Sequence, residues 1–91
     1  MTGFGYMVMV SSLSAEEFAG FFDFDAIRVK NWCDGREKIT EDEEKLMVEE
    51  LGIRGDALEK QVWELDEFEE NMLYIKGVYV GVKARAELHK K

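Results

Sequence analysis

Apolar and polar positions alternate with period two near both ends of this chain, and recur at helical spacing between them. Phe4, Tyr6, Val8 and Val10 fall on one side of an extended segment and Met7 and Met9 on the other. That pattern predicts a central strand over 4–10, covered at least in part on both faces. Ala26 to Cys33 alternates again, with Ile27 and Val29 opposite Arg28 and Lys30. Asp34-Gly35 tolerates the positive φ angles of a type I′ hairpin, and Arg36 to Ile39 is the expected return strand. Val78, Val80, Val82, Ala84 and Ala86 alternate with Tyr79, Gly81, Lys83, Arg85 and Glu87, which predicts a final strand.

The helices announce themselves by their caps. Ser14-Ala15-Glu16-Glu17 is a capping box, in which the Ser14 oxygen accepts from the amide of Glu17 and Glu17 reaches back. Leu13 and Phe18 stand where a hydrophobic staple needs them, so a helix starts at Ala15 and ends near Asp23. Thr40-Glu41-Asp42-Glu43 is a second box and opens a helix to Leu51, with Gly52 as its left-handed terminator. Asp56 is placed to cap a third helix, in which Leu58, Val62, Leu65 and Met72 share a face. Gln61 to Phe68 reads as either helix or strand. The order is β-α-β-β-α-β with the second helix split at Gly52 to Gly55. It resembles the ferredoxin-like pattern: an α+β fold with a small single sheet of about four strands and helices on one face. So widely reused a topology implies little about function.

Ninety-one residues, 46% of them hydrophobic, make a single domain over 1–91 with a modest core. The chain lacks an 18-residue apolar run and the basic-then-apolar layout of a signal peptide, so neither membrane insertion nor export is expected. A lone cysteine excludes an internal disulfide and suits a reducing, cytoplasmic setting.

Charge changes the picture most. The whole chain carries −8, but Glu41 to Glu70 holds thirteen acids and three bases, 3 − 13 = −10. The last 21 residues hold five bases against Glu87, 5 − 1 = +4. Such a field repels nucleic acid and anionic membranes and attracts basic surfaces.

Catalytic and metal-binding patterns are weak beside it. Cys33 and His89 are single representatives of their types, and the expected sheet holds them at opposite edges. A nucleophilic pair needs them within hydrogen-bond reach. One Cys and one His do not complete a zinc site. Glu41-Asp42-Glu43-Glu44 lacks the glycine turn and ligand spacing of a calcium loop, and acids there suit a helix N-terminus. Gly3-Phe4-Gly5 precedes a strand, whereas a phosphate loop follows one. No carboxylate pair stands out with opposed environments. No catalytic residue, metal or cofactor is therefore expected. Arg28 and Lys30 with Trp32 form a small basic–aromatic group, and Lys76, Lys83, Arg85, Lys90 and Lys91 a second, both working against the net charge.

The acids around Trp63 are less easily explained. Continued through this region, the third helix places Glu59, Trp63, Asp66, Glu67 and Glu70 on one side, away from Leu58, Val62 and Leu65. It also crowds Glu64, Asp66, Glu67, Glu69 and Glu70 into a helical C-terminal half, where the dipole disfavours them. An aromatic anchor with a charged rim is the make-up of a recognition patch. The expected partner-binding residues are Glu59, Trp63, Glu64, Asp66, Glu67 and Glu70. The expected function is that of a non-enzymatic inhibitor or regulator docking on a basic surface of a partner protein, one that otherwise binds nucleic acid included. By size and charge it is similar to phage anti-defence proteins, DNA mimics and immunity proteins. The second reading is a ligand-binding or oligomerising domain that uses an exposed sheet face.

Overall fold

A computed structural model describes the backbone of residues 1–89 and the side chains of residues 1–87. Among the described residues the elements are all helical: α1 (Gly3–Ser11), α2 (Ala15–Phe22), α3 (Ala26–Asp34), α4 (Glu41–Leu51), α5 (Gly55–Glu59), a 3-10 turn (Val62–Glu64) and α6 (Glu67–His89). Extended pairing is confined, among those residues, to one isolated bridge between Thr2 and Gln61. The expected α+β, ferredoxin-like sheet is therefore overturned, and the free sheet face of the second reading goes with it.

Three of the four expected strands lie in helices, and the fourth, 36–39, is a link. In α1 the buried side chains beyond glycine are Phe4, Met7, Val8 and Ser11, which is i, i+3, i+4, i+7. Tyr6, Val10 and Met9 lie at the same helix's margin or in solvent, and their apolar character created the false period of two. Thr2 caps it: its Oγ accepts from the Gly5 amide (3.1 Å) and donates to the Trp32 carbonyl (2.7 Å). The supposed strand 26–33 is α3, opened by Asp25, whose carboxylate accepts from the amides of Ile27 and Arg28. Asp34-Gly35 is no hairpin. Gly35, at φ 76°, is the left-handed end of α3. The segment 36–39 forms no strand but the link to α4.

The two capping boxes are observed as expected. Ser14 and Glu17 open α2, which ends at Phe22 with Asp23 left-handed. Thr40 and Glu43 open α4, which ends at Leu51 with Gly52 left-handed. The third helix differs. α5 stops at Glu59, Lys60 and Gln61 are extended, and α6 begins only at Glu67.

α6 is the spine. Leu73, Gly77, Val80, Gly81 and Ala84 face inward, and α1 runs along them in the same direction. A Cβ on Gly77 would lie 2.7 Å from the Met7 carbonyl oxygen, and one on Gly81 would collide with the carbonyl of Ser11. Two glycines one turn apart let the helix backbones approach to a separation that larger residues forbid. Arg85 closes the end of α1 by donating to the Ser11 carbonyl (2.9 Å). On the other flank of α1 lies an aromatic cluster. Phe4 is edge-on to Phe18 (5.3 Å) and to Trp32 (5.5 Å), and Phe22 stacks on Phe24 (5.3 Å). Met47 and Leu51 from α4 and Ala57 and Leu58 from α5 complete the core. No helix among the described residues is long and apolar enough to cross a membrane.

Candidate functional site

The segment that carries the expected recognition residues is pinned to the chain's start. Gly3 donates to the Lys60 carbonyl (2.7 Å) and Val62 to the Met1 carbonyl (3.0 Å). The Thr2–Gln61 bridge lies between them. The 3-10 turn is closed by Glu64 donating to the Gln61 carbonyl (2.8 Å), while the Glu64 carboxylate accepts from the Gln61 amide (3.0 Å). Val62 and Leu65 are half-buried on either side. Trp63 therefore projects from a braced turn, with 78% of its surface in solvent.

Glu59, Glu64, Asp66, Glu67 and Glu70 are exposed as well. They do not share one side of a helix, because the helix meant to align them is interrupted twice. Glu59 ends α5, Glu64 ends the 3-10 turn, and Asp66 precedes α6. Glu67 and Glu70 lie in α6, about 60° apart around its axis by helical geometry. The charge of Glu70 is felt at Tyr6 in α1. Burial first, and then the charge of Glu70, push the Tyr6 phenol above its ordinary range.

The dipole conflict disappears for Asp66, Glu67, Glu69 and Glu70, which stand at the start of α6 and not at the end of a helix. Asp66 accepts from the Glu69 amide (2.7 Å) and Glu69 accepts from the Asp66 amide (3.1 Å), a reciprocal cap. Negative charge at that end is stabilising. Glu69 is only 2% exposed and accepts a hydrogen bond from Lys60 Nζ at 2.8 Å. That bond, and then the Asp66 amide, hold its carboxyl below the usual range.

The remaining charge is largely uncompensated. Of the thirteen acids between Glu41 and Glu70, only Glu43 and Glu69 enter an ion pair among the described residues. Glu43 pairs with Arg28, which also donates from Nε to Glu37 (2.6 Å). Arg28 thus lies between two carboxylates and over the buried Trp32 ring, 4.9 Å from its centre. This removes Arg28 and Trp32 from the basic–aromatic group read in the sequence. Lys90 and Lys91 of the second group, and the relation of Cys33 to His89, lie outside the described residues.

Among the described residues no three His, Cys, Asp or Glu side chains gather as a metal site would require. The Cys33 thiol is pushed up to about 11, by burial first and by Asp34 second, so it stays protonated at neutral pH.

Reading the sequence missed Phe68, which is exposed beside this surface, and with it Ile75 and Val82. The signal was present: the three stand seven residues apart, a helical spacing hidden by the alternation of 78–87. No family model, curated protein or solved structure matches the chain.

Proposed function

We propose that this chain is a non-enzymatic inhibitor or regulator whose acidic surface docks on a basic surface of a partner protein, a nucleic-acid-binding groove being the best fit. Trp63 carries the reading. A tryptophan this exposed, on a turn tied down by main-chain bonds, is a preorganised anchor, and little ordering entropy is lost when it is buried in a partner. Glu59, Glu64, Asp66, Glu67 and Glu70 supply the rim. Unpaired carboxylates steer a basic partner from a distance and stand in for phosphates at contact. The comparison with anti-defence proteins, DNA mimics and immunity proteins is one of size and charge.

The experiment is affinity capture from the native host at low and at high salt, with wild type beside Trp63→Ala. The expected catch is a basic protein that wild type retains at low salt, that salt releases, and that Trp63→Ala fails to hold. Nucleic acid should compete with the chain for that protein. Capture indifferent both to salt and to Trp63 overturns the reading.

A further inference from the structure

The side of α6 opposite its buried seam is apolar over most of its length. Phe68, Ile75 and Val82 are 65%, 61% and 57% exposed, and Val78 and Tyr79 flank them, also exposed. At 100° per residue all five lie within about 60° of one line along the helix, nearly opposite Leu73, Gly77, Val80 and Ala84. A shallow depression of about 330 Å³ runs along the start of this line, among Phe68, Asn71, Met72, Ile75 and Lys76. The five residues present on the order of 500 Å² per copy, in the range of roughly 300–600 Å² in which the largest patch of a monomer is often functional. Two such strips together offer on the order of 1,000 Å², the lower bound expected of a specific interface.

We propose that this face is a self-association surface, on which α6 of a second copy packs antiparallel. Charge selects the orientation, because the strip's two ends complement each other only when a second copy is reversed. Glu67 and Glu70 stand at the start of α6, with Asp66 just before it, and toward its end Lys83 and Arg85 outnumber Glu87. A parallel pair sets acid against acid and base against base. An antiparallel pair with its two-fold axis at Ile75 places Phe68 opposite Val82, and Asn71 opposite Tyr79. It also brings Glu67 level with Lys83 of the other copy. Such a contact is isologous: the same strip serves both copies, and closure at two is built in. Seven-residue spacing of Phe68, Ile75 and Val82 keeps the seam in register along two slightly supercoiled helices. The proposal uses no residue of the 3-10 turn; it shares Asp66, Glu67 and Glu70 with the acidic rim, but its test reads only Phe68, Ile75 and Val82, so it can fail without the acidic surface's role failing.

Sedimentation velocity over a wide concentration range tests it, with cysteine cross-linking in a Cys33→Ser background. A reversible dimer is expected. Ile75→Lys, which places two like charges on the axis, should yield a monomer of unchanged helix content. Ile75→Cys should cross-link to itself. Phe68→Cys should cross-link to Val82→Cys in a mixture, but not to itself. A wild-type chain that stays monomeric at the highest concentration overturns the proposal and leaves the face to a different partner. Self-linking of Phe68→Cys would show a parallel pair and overturn it equally.

Discussion

Trp63 and Glu69 lie six residues apart on the same braced segment and do opposite things. Trp63 exposes most of its ring, so its removal leaves no cavity in the core. Trp63→Ala should shift folding stability by less than about 1 kcal/mol, as surface substitutions do. It should weaken partner binding by about 2 kcal/mol or more, as expected of an anchor. Chemical denaturation beside a binding assay checks both, and a stability loss of about 3–5 kcal/mol would mean that the ring is core. Glu69 is buried against Lys60, which holds its carboxyl below the ordinary range. A carboxyl lowered in the folded state adds stability above its unfolded pKa and loses it as pH falls through the folded one. Glu69→Gln keeps the shape and the cap acceptor but removes the charge. Its melting temperature should lie below wild type at neutral pH, and the gap should close as pH is lowered below about 4. A gap that stays constant into acid would place the effect outside the ion pair.

At the scale of elements, glycine separates the close helix contact from a solvent-facing position. Gly20 in α2 has open space where a Cβ would go, whereas Gly77 has the Met7 carbonyl at 2.7 Å. Gly20→Ala should stabilise by about 0.5–1 kcal/mol through helix propensity. Gly77→Ala should destabilise by about 1–3 kcal/mol, because the α1–α6 contact must open. Equal effects at the two positions, measured by urea denaturation, would deny that close contact. The helices with local signals were legible in the sequence: Ser14–Glu17 and Thr40–Glu43 carry their start sites in four residues, and Gly52 carries a stop. α1 and α6 were not, because Val and Tyr serve buried helices and strands alike once both sides of an element are apolar. Gly77 and Gly81 at helical spacing were the available sign, but Gly81 was absorbed into a strand pattern that began after Gly77. Trp63's exposure was anticipated from a helix that does not exist; its actual cause is the 3-10 turn, which has no period to read. Phe68, Ile75 and Val82 stayed hidden because they lie on the second apolar side of α6.

Over the whole molecule, the same charge should act with opposite sign on folding and on association. Within Glu41 to Glu70 eleven of thirteen acids lack a cationic partner among the described residues, 13 − 2 = 11, so this part of the folded chain repels itself. Screening within roughly 8 Å at 0.15 M ionic strength relieves that repulsion. Salt also weakens the pairs of Arg28 with Glu37 and Glu43 and of Lys30 with Glu16. Those pairs are partly or largely exposed, and such pairs are worth about 0–1 kcal/mol each. The distributed repulsion outweighs them. Potassium chloride should therefore raise folding stability, on the order of 1 kcal/mol between low and physiological salt, because self-repulsion opposes the compact state. Across the same range the association rate with a basic partner should fall by about tenfold, because steering acts through the same unscreened field. Denaturation midpoints and stopped-flow rates in one salt series test the pair of signs. A stability that falls with salt would mean that ion pairs dominate the surface. Added to a flat association rate, it would remove the electrostatic basis for docking and leave the apolar strip of α6 as the surface that brings this chain to a partner.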